Sequence, residues 1–155
     1  MILADLSLRN WAVSGGVKPF DPSKINPASI DLTLQGHFVC MTNGIQMIQD
    51  EYILLPGDAV LVSTQEFITM PDDCAGAVYL KSSRMREGLD LARAGWIDPG
   101  FRGEITLLLY AHAQVILKKG KPFVQLVLSK LDRDPDLTYQ KTGRYNNQVG
   151  PTLAK

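Results

Sequence analysis

From residue 29 onward the chain is a succession of short apolar runs, and no later segment carries the spacing of an amphipathic helix. The runs read SIDLTL, HFVCM, YILL, AVLVST, EFITM, GAVYL, EITLLLYA, QVILK and PFVQLVLSKL. Between them lie Gly36, Asn43-Gly44, Pro56-Gly57, Pro71-Asp72-Asp73, Pro99-Gly100 and Lys119-Gly120, all turn chemistry. Many short strands at fairly even spacing specify an all-β barrel or double-sheet sandwich. Ahead of them, residues 4 to 14 place Leu6, Leu8, Trp11 and Val13 among polar residues before Gly15-Gly16, which predicts one short helix with a glycine stop.

At 155 residues and 45% apolar content the chain has material for its own core, since about 150 residues bury roughly 70% of the unfolded surface. No composition shift marks a linker and no repeat is present, so residues 1–155 read as a single domain. Sixteen Lys and Arg balance sixteen Asp and Glu. A neutral chain lacks the basic face that extended nucleic acid requires, so no nucleic-acid partner is expected. Cys40 and Cys74 are far apart with no CxxC pattern, which indicates neither a disulfide framework nor a thiol-rich metal site and fits a reducing cytosol. No apolar run approaches the roughly 20 residues that span a bilayer, and no basic leader precedes an apolar run, so a cytoplasmic protein without a membrane partner is expected.

Several chemistries are absent. His37 and His112 are isolated, in no HxE or HExxH pattern, and read as solvated or packed side chains. Neither a GxSxG elbow nor a GxxxxGK[ST] loop occurs. The block from 81 to 110, KSSRMREGLDLARAGWIDPGFRGEITLLLY, stands out. Lys81, Ser82, Ser83, Arg84 and Arg86 crowd cations and hydroxyls directly after a strand, which suits either a polyphosphate cradle or an ordinary solvated loop. Asp98 follows the apolar pair Trp96-Ile97 and precedes a Pro-Gly turn. Such a carboxylate orients water, accepts a sugar hydroxyl or acts as a general base, or simply forms the turn. The last stretch, DRDPDLTYQKTGRYNNQVGPTLAK, is polar and weak in strand periodicity: a mobile tail, or one whose Arg144, Tyr145 and Gln148 close over a charged ligand.

These residues together carry a resemblance. PASIDLTLQGHF (27–38), PGDAVLVSTQEFITMPDD (56–73), SSRMREGL (82–89), AGWIDPGFRGEITL (94–107) and RYNNQVGPT (144–152) resemble the dCTP deaminase branch of the dUTPase superfamily, as do MILADLSLRNW and KPFDPSKINPAS. The likeness runs in order over almost the whole chain. AGWIDPGFRG is its most specific piece, and the GRYNNQVGP tail supports it independently.

The resemblance implies a distorted β-barrel or jelly-roll subunit and a homotrimer whose active sites draw on neighbouring subunits. Its ligand is a deoxypyrimidine triphosphate carrying Mg²⁺ on its phosphates, with no metal ligand from the protein. Carried over by position, Ser82, Ser83 and Arg86 stand near the triphosphate. Ala94, Gly95 and Trp96 belong to the segment from Ala92 to Asp98 that reads the pyrimidine edge. Asp98 matches the catalytic carboxylate beside the deoxyribose. Tyr139, Arg144 and Gln148 match phosphate contacts in a tail, 139–155, that closes over the site, with Arg144 where deaminases usually have Lys.

The sequence also departs from the pattern. The glutamate that shuttles protons in zinc-independent deamination is replaced by Leu108. Glu104 shares its strand parity but lies four residues away, roughly 13 Å at about 3.3 Å per residue, beyond the ~3 Å reach of a general acid or base. GRSS becomes Leu80-Lys81-Ser82-Ser83, and Arg93 enters the pyrimidine-reading segment. The expectation is therefore a hydrolase that cleaves dUTP to dUMP and diphosphate, with Asp98 positioning the attacking water. The alternatives are a zinc-independent dCTP deaminase forming dUTP and ammonia, and a non-catalytic nucleotide-binding regulator.

Overall fold

The computed structural model describes residues Met1–Lys155. The expected helix is α1, Asp5–Trp11, which buries Leu8 and runs on into one wider turn, Ala12–Gly16. It stops where expected. Gly15 takes φ 102°, a left-handed conformation open to glycine at little cost, and a Cβ on Gly16 would sit 2.2 Å from the Trp11 indole nitrogen. That indole N–H donates to the Thr69 carbonyl at 3.0 Å and ties the helix to the sheet.

The strands follow as β1 (Val17–Lys18), β2 (Ile25–Asn26), β3 (Ser29–Cys40), β4 (Gln46–Ile48), β5 (Glu51–Leu54), β6 (Ala59–Thr69) and β7 (Cys74–Leu80). After the short helix α2 (Ser82–Arg86) come β8 (Leu89–Leu91), β9 (Trp96–Ile97), β10 (Arg102–Ala111), β11 (Val115–Lys118) and β12 (Pro122–Lys130), and the chain closes with α3 (Tyr139–Thr142). The main sheet runs β8-β10-β6-β3-β12-β7-β9, with β1 added to β6 and β2 and β4 to β3, while β5 and β11 form a separate ribbon. The all-β expectation holds.

Two pairs of apolar runs that looked like separate strands are single long ones. SIDLTL and HFVCM fuse into β3, and AVLVST and EFITM fuse into β6. Gly36 is therefore not a turn between strands. It is a bulge at φ +95°, where a Cβ would lie 2.9 Å from the Gln49 carbonyl. The register between β3 and β6 slips between Leu34 and Phe38, and that between β10 and β6 slips between Glu104 and Thr106. Bulges bend and twist the strands that carry them. Here they let β3 pair with β12 along its first half and with β6 and β4 along its second, curling the sheet around one shared core.

That core includes Leu32, Leu34, Phe38, Val62, Leu107, Leu109, Phe123 and Leu126, each nearly or fully buried. On β10 the period of two is plain: Ile105, Leu107 and Leu109 face inward, Thr106 and Leu108 are half-buried on the other face, and Tyr110 is exposed. Glu66 is buried but fully supplied, by Lys24 Nζ at 2.8 Å, the Thr33 amide at 2.9 Å and the Thr33 hydroxyl at 2.7 Å.

The polar C-terminal stretch is packed along β10. The Asn147 amide donates to the Arg102 carbonyl at 2.6 Å, and the Glu104 amide to the Gln148 carbonyl at 2.9 Å. Gly103 and Gln148 form a parallel bridge, and Gly150 and Pro151 are buried. The attachment is made by backbone and polar side chains rather than an alternating apolar face, so it leaves no strand signature.

Candidate active site

A cavity of about 250 Å³ opens between β9, the start of β10 and the C-terminal segment. On the strand side it is walled by Ala94, Trp96, Ile97, Asp98, Phe101, Ile105 and Thr106; on the tail side by Tyr139, Tyr145, Gln148 and Thr152. The turn that carries Asp98 is held from both directions. The Phe101 amide donates to the Asp98 carbonyl at 3.2 Å and the Tyr139 amide to the Pro99 carbonyl at 2.9 Å. At Gly100, φ +76°, a Cβ would come within 2.9 Å of both Asp72 and Thr138. Only glycine fits there. The exposed Trp96 donates its indole N–H to Asp98 Oδ1 at 3.0 Å, leaving the second carboxylate oxygen, Oδ2, free of protein partners.

The tail side is equally specified. Tyr139 packs edge-on against Phe101 with ring centroids 5.6 Å apart, and its hydroxyl accepts from the Tyr145 amide at 3.3 Å. Gln148 Nε2 donates to the Glu104 carbonyl at 2.8 Å, so the side chain expected at the phosphates is here bound to β10.

Of the sequence-derived residues, Ala94, Trp96, Asp98, Tyr139 and Gln148 meet at this cavity, and Gly95 lines a neighbouring depression of about 430 Å³ together with Trp96 and Arg93. Ser82, Ser83, Arg86 and Arg144 line neither and are exposed. The reason is topological. Trp96 and Ile97 pair with Ala77 and Gly76, whereas α2 begins beyond the far end of β7, more than roughly 10 Å away at ~3.3 Å per residue. Two of the clustered cations are also already paired. Lys81 is bound to Asp31, and Arg84 to Glu87 at 2.6 Å and to the Ile116 carbonyl at 3.0 Å. Arg86 has no ion-pair partner.

Phe101, Ile105, Thr106 and Thr152 also wall the cavity, and the sequence does not single them out. Phe101 and Ile105 also belong to the buried core. Thr106 and Thr152 become neighbours only because the tail folds back, the Thr152 amide donating to Thr106 Oγ1 at 3.1 Å.

Leu108 is half-buried on β10, and its carbonyl accepts from the Ala92 amide at 3.0 Å, so it supports the segment leading to Asp98 without offering an ionisable group. Glu104 sits at the strand irregularity, but its carboxylate meets the Gly150 amide rather than the cavity. Burial pushes its carboxyl above the ordinary value, with Glu66 adding to the rise and the Gly150 amide, Ser63 and His37 opposing it. Burial likewise lifts the Cys74 thiol to about 11, which removes it as a nucleophile at neutral pH. No helix is long and apolar enough to cross a membrane.

Residues 41–131 match the family model described as dCTP deaminase-like. A protein of Acidothermus cellulolyticus named "dCTP deaminase, dUMP-forming" is 37% identical over all of this chain and 95% of its own length. The chain belongs to the dCTP deaminase-like family. An Aquifex aeolicus protein of the same name is 35% identical to this family member over 97% of the chain and 92% of its own length. The dCTP deaminase-like fold is seen again in the crystal structure of 2'-deoxycytidine 5'-triphosphate deaminase from Agrobacterium tumefaciens, with TM-score 0.72 and 19% identity over 82% of this chain. The match spans 47% of that longer chain. EIAV dUTPase shares the fold at TM-score 0.55 and 22% identity, over 79% of this chain and 89% of its own.

These relatives correct the expected activity. Full-length relatives of this dCTP deaminase-like chain are named for dUMP-forming dCTP deamination and not for dUTP cleavage alone. The dUTP diphosphatase expectation rested on one side chain, Leu108, set against a pattern that extends over the whole chain. The alternative, a deaminase stopping at dUTP, was nearer but ended one hydrolysis short of the product those names give.

Proposed function

We propose that this chain is a dUMP-forming dCTP deaminase. The full-length likeness to relatives of that name carries the reading, and the placement of Asp98 in a cavity roofed by the C-terminal segment supports it. The net reaction takes two waters. One replaces the 4-amino group and releases ammonia; the other attacks the α-phosphorus and releases diphosphate.

At about 250 Å³ the cavity falls below the ~300–1,000 Å³ of sites that enclose a whole small-molecule ligand. In this reading it takes the base and sugar, with the triphosphate at its mouth. The free oxygen of Asp98 accepts a deoxyribose hydroxyl or orients water, with the Trp96 indole fixing the carboxylate's rotamer. Ala94, Gly95 and Trp96 bound the base. Ser82, Ser83 and Arg86 bind phosphate oxygens from a neighbouring subunit of a homotrimer, in keeping with the distance of α2 from the cavity of its own chain, and Arg144 and Tyr139 act from the tail. In this reading the Mg²⁺ is carried by the triphosphate, with no ligand from the protein. Bound there it neutralises phosphate charge.

Leu108 brings no proton carrier, so transfer at the 4-amino nitrogen relies on water and the deamination step is slow. The same residue favours a second reading, nucleotide binding without turnover. Incubation with dCTP or dUTP and Mg²⁺, followed by chromatography of the nucleotides, separates them. dUMP formed from dCTP supports the deaminase; tight dCTP binding with the nucleotide left intact supports the regulator.

A further inference from the structure

We propose that Glu104 is a positioning residue that latches the C-terminal segment over the Asp98 cavity, with the Gly150 amide as its counterpart. The two bulges, at Gly36 in β3 and at Thr64–Glu66 in β6, fall at the same level of the sheet and open its ladders there. Side chains fill the gap. The Ser63 hydroxyl donates to Gln35 Oε1 at 2.7 Å, and Thr64 Oγ1 accepts from the Ile105 amide at 2.9 Å. Glu104 projects into this polar recess and is 8% exposed.

A carboxylate buried this far normally has a cation beside it. Glu104 has no ion-pair partner: the Gly150 amide donates to it at 2.6 Å, and the Ser63 hydroxyl oxygen lies 3.5 Å away. Both a β-sheet interior and a merely buried strand position are served better by an apolar residue. The tail amide is what this acceptor answers. Gly150 reaches it in a left-handed turn at φ +71°, and a Cβ there would press to 3.2 Å from His37 Nδ1, so the tail's close approach needs glycine. The ionisable groups around Glu104 are Glu66 of β6, which raises its carboxyl, and His37 of β3, which lowers it.

The latch acts on the cavity through its neighbours. Gln148 and Thr152, two residues to either side of Gly150, both line the cavity and both bond to β10, at the Glu104 carbonyl and at Thr106 Oγ1. Holding Gly150 therefore sets the register of both walls. This inference concerns closure of the tail and stands whichever nucleotide the site takes.

The experiment is hydrogen exchange of the full-length protein without nucleotide, read at amides 145–152 and in β3 and β12, for wild type, Glu104→Leu, Glu104→Gln and Gly150→Ala. Loss of the acceptor is expected to speed exchange at Gly150 and Thr152 by about tenfold or more in Glu104→Leu, the size of one lost hydrogen bond to a buried partner, with β3 and β12 unchanged. Glu104→Gln keeps an acceptor oxygen and stays within about twofold of wild type. Gly150→Ala reproduces the opening with Glu104 intact, and decides the matter if Glu104→Leu fails to fold. Full tail protection in Glu104→Leu or in Gly150→Ala, or equal opening in the Gln and Leu variants, overturns the latch. A chain that releases no ammonia from dCTP yet shows this exchange pattern refutes the deaminase reading and leaves the latch standing.

Discussion

The Trp96 indole N–H and Asp98 Oδ1 are 3.0 Å apart across two residues of the strand-to-turn junction, an arrangement that spends one carboxylate oxygen on orientation and leaves the other for the ligand. Asp98→Asn keeps the shape but loses the charge and one acceptor. Turnover of dCTP should fall by about 100-fold or more, in the range of a positioned acid–base group, while the melting temperature stays near wild type. Trp96→Phe removes only the orienting bond, and a loss of roughly five- to tenfold is expected, the equivalent of about 1 kcal/mol. Steady-state kinetics beside a thermal melt checks both.

Leu108 faces the same side of β10 as Thr106 and Tyr110, beside the segment whose Ala92 amide its carbonyl accepts. A proton carrier at this point is what the chain lacks. Leu108→Glu should raise ammonia release from dCTP by about 10²-fold, the lower end of general acid–base catalysis. A rate unchanged in a folded variant would show that proton transfer does not limit the reaction.

The pH dependence of stability follows from Glu104. Its carboxyl is raised above its ordinary value chiefly by burial, so the folded state holds this proton more tightly than the unfolded state. The stability it contributes is fully present below the unfolded value of about 4.3 and is lost as pH rises through the higher folded value. Glu104→Gln carries no such dependence. Urea unfolding from pH 4 to 8 should show the variant gaining on wild type as pH rises through that window and levelling off above it.

Deleting residues 143–155 should abolish turnover and leave a folded barrel, since the core side chains lie upstream of the cut. The tail is not thermodynamically silent, however. Its removal strips Glu104 of the Gly150 amide and uncovers Tyr139 and Phe101, so a melting temperature lowered by several degrees is expected. Circular dichroism melts and a dCTP assay on the truncated chain provide the check.

The strands were legible because β10 and β12 alternate cleanly and because Pro56-Gly57, Pro99-Gly100 and Lys119-Gly120 do form turns. Gly36 was misplaced because a glycine at positive φ serves a bulge as readily as a turn, and only pairing tells them apart. At the site, Asp98 and Trp96 were visible as a motif. Ile105 and Thr106 were not, since their exposure to a cavity depends on a tail that folds back from 44 or more residues downstream. Within the cluster of cations, Lys81 and Arg84 answer Asp31 and Glu87, and the Asp31 partner is not visible from sequence proximity.

The central claim is tested most directly by incubating the purified protein with dCTP and Mg²⁺ and measuring ammonia and diphosphate in the same sample. Conversion to dUMP predicts both products in equal amounts, slowly formed and both lost in Asp98→Asn. Tight binding of dCTP with neither product after hours would contradict it.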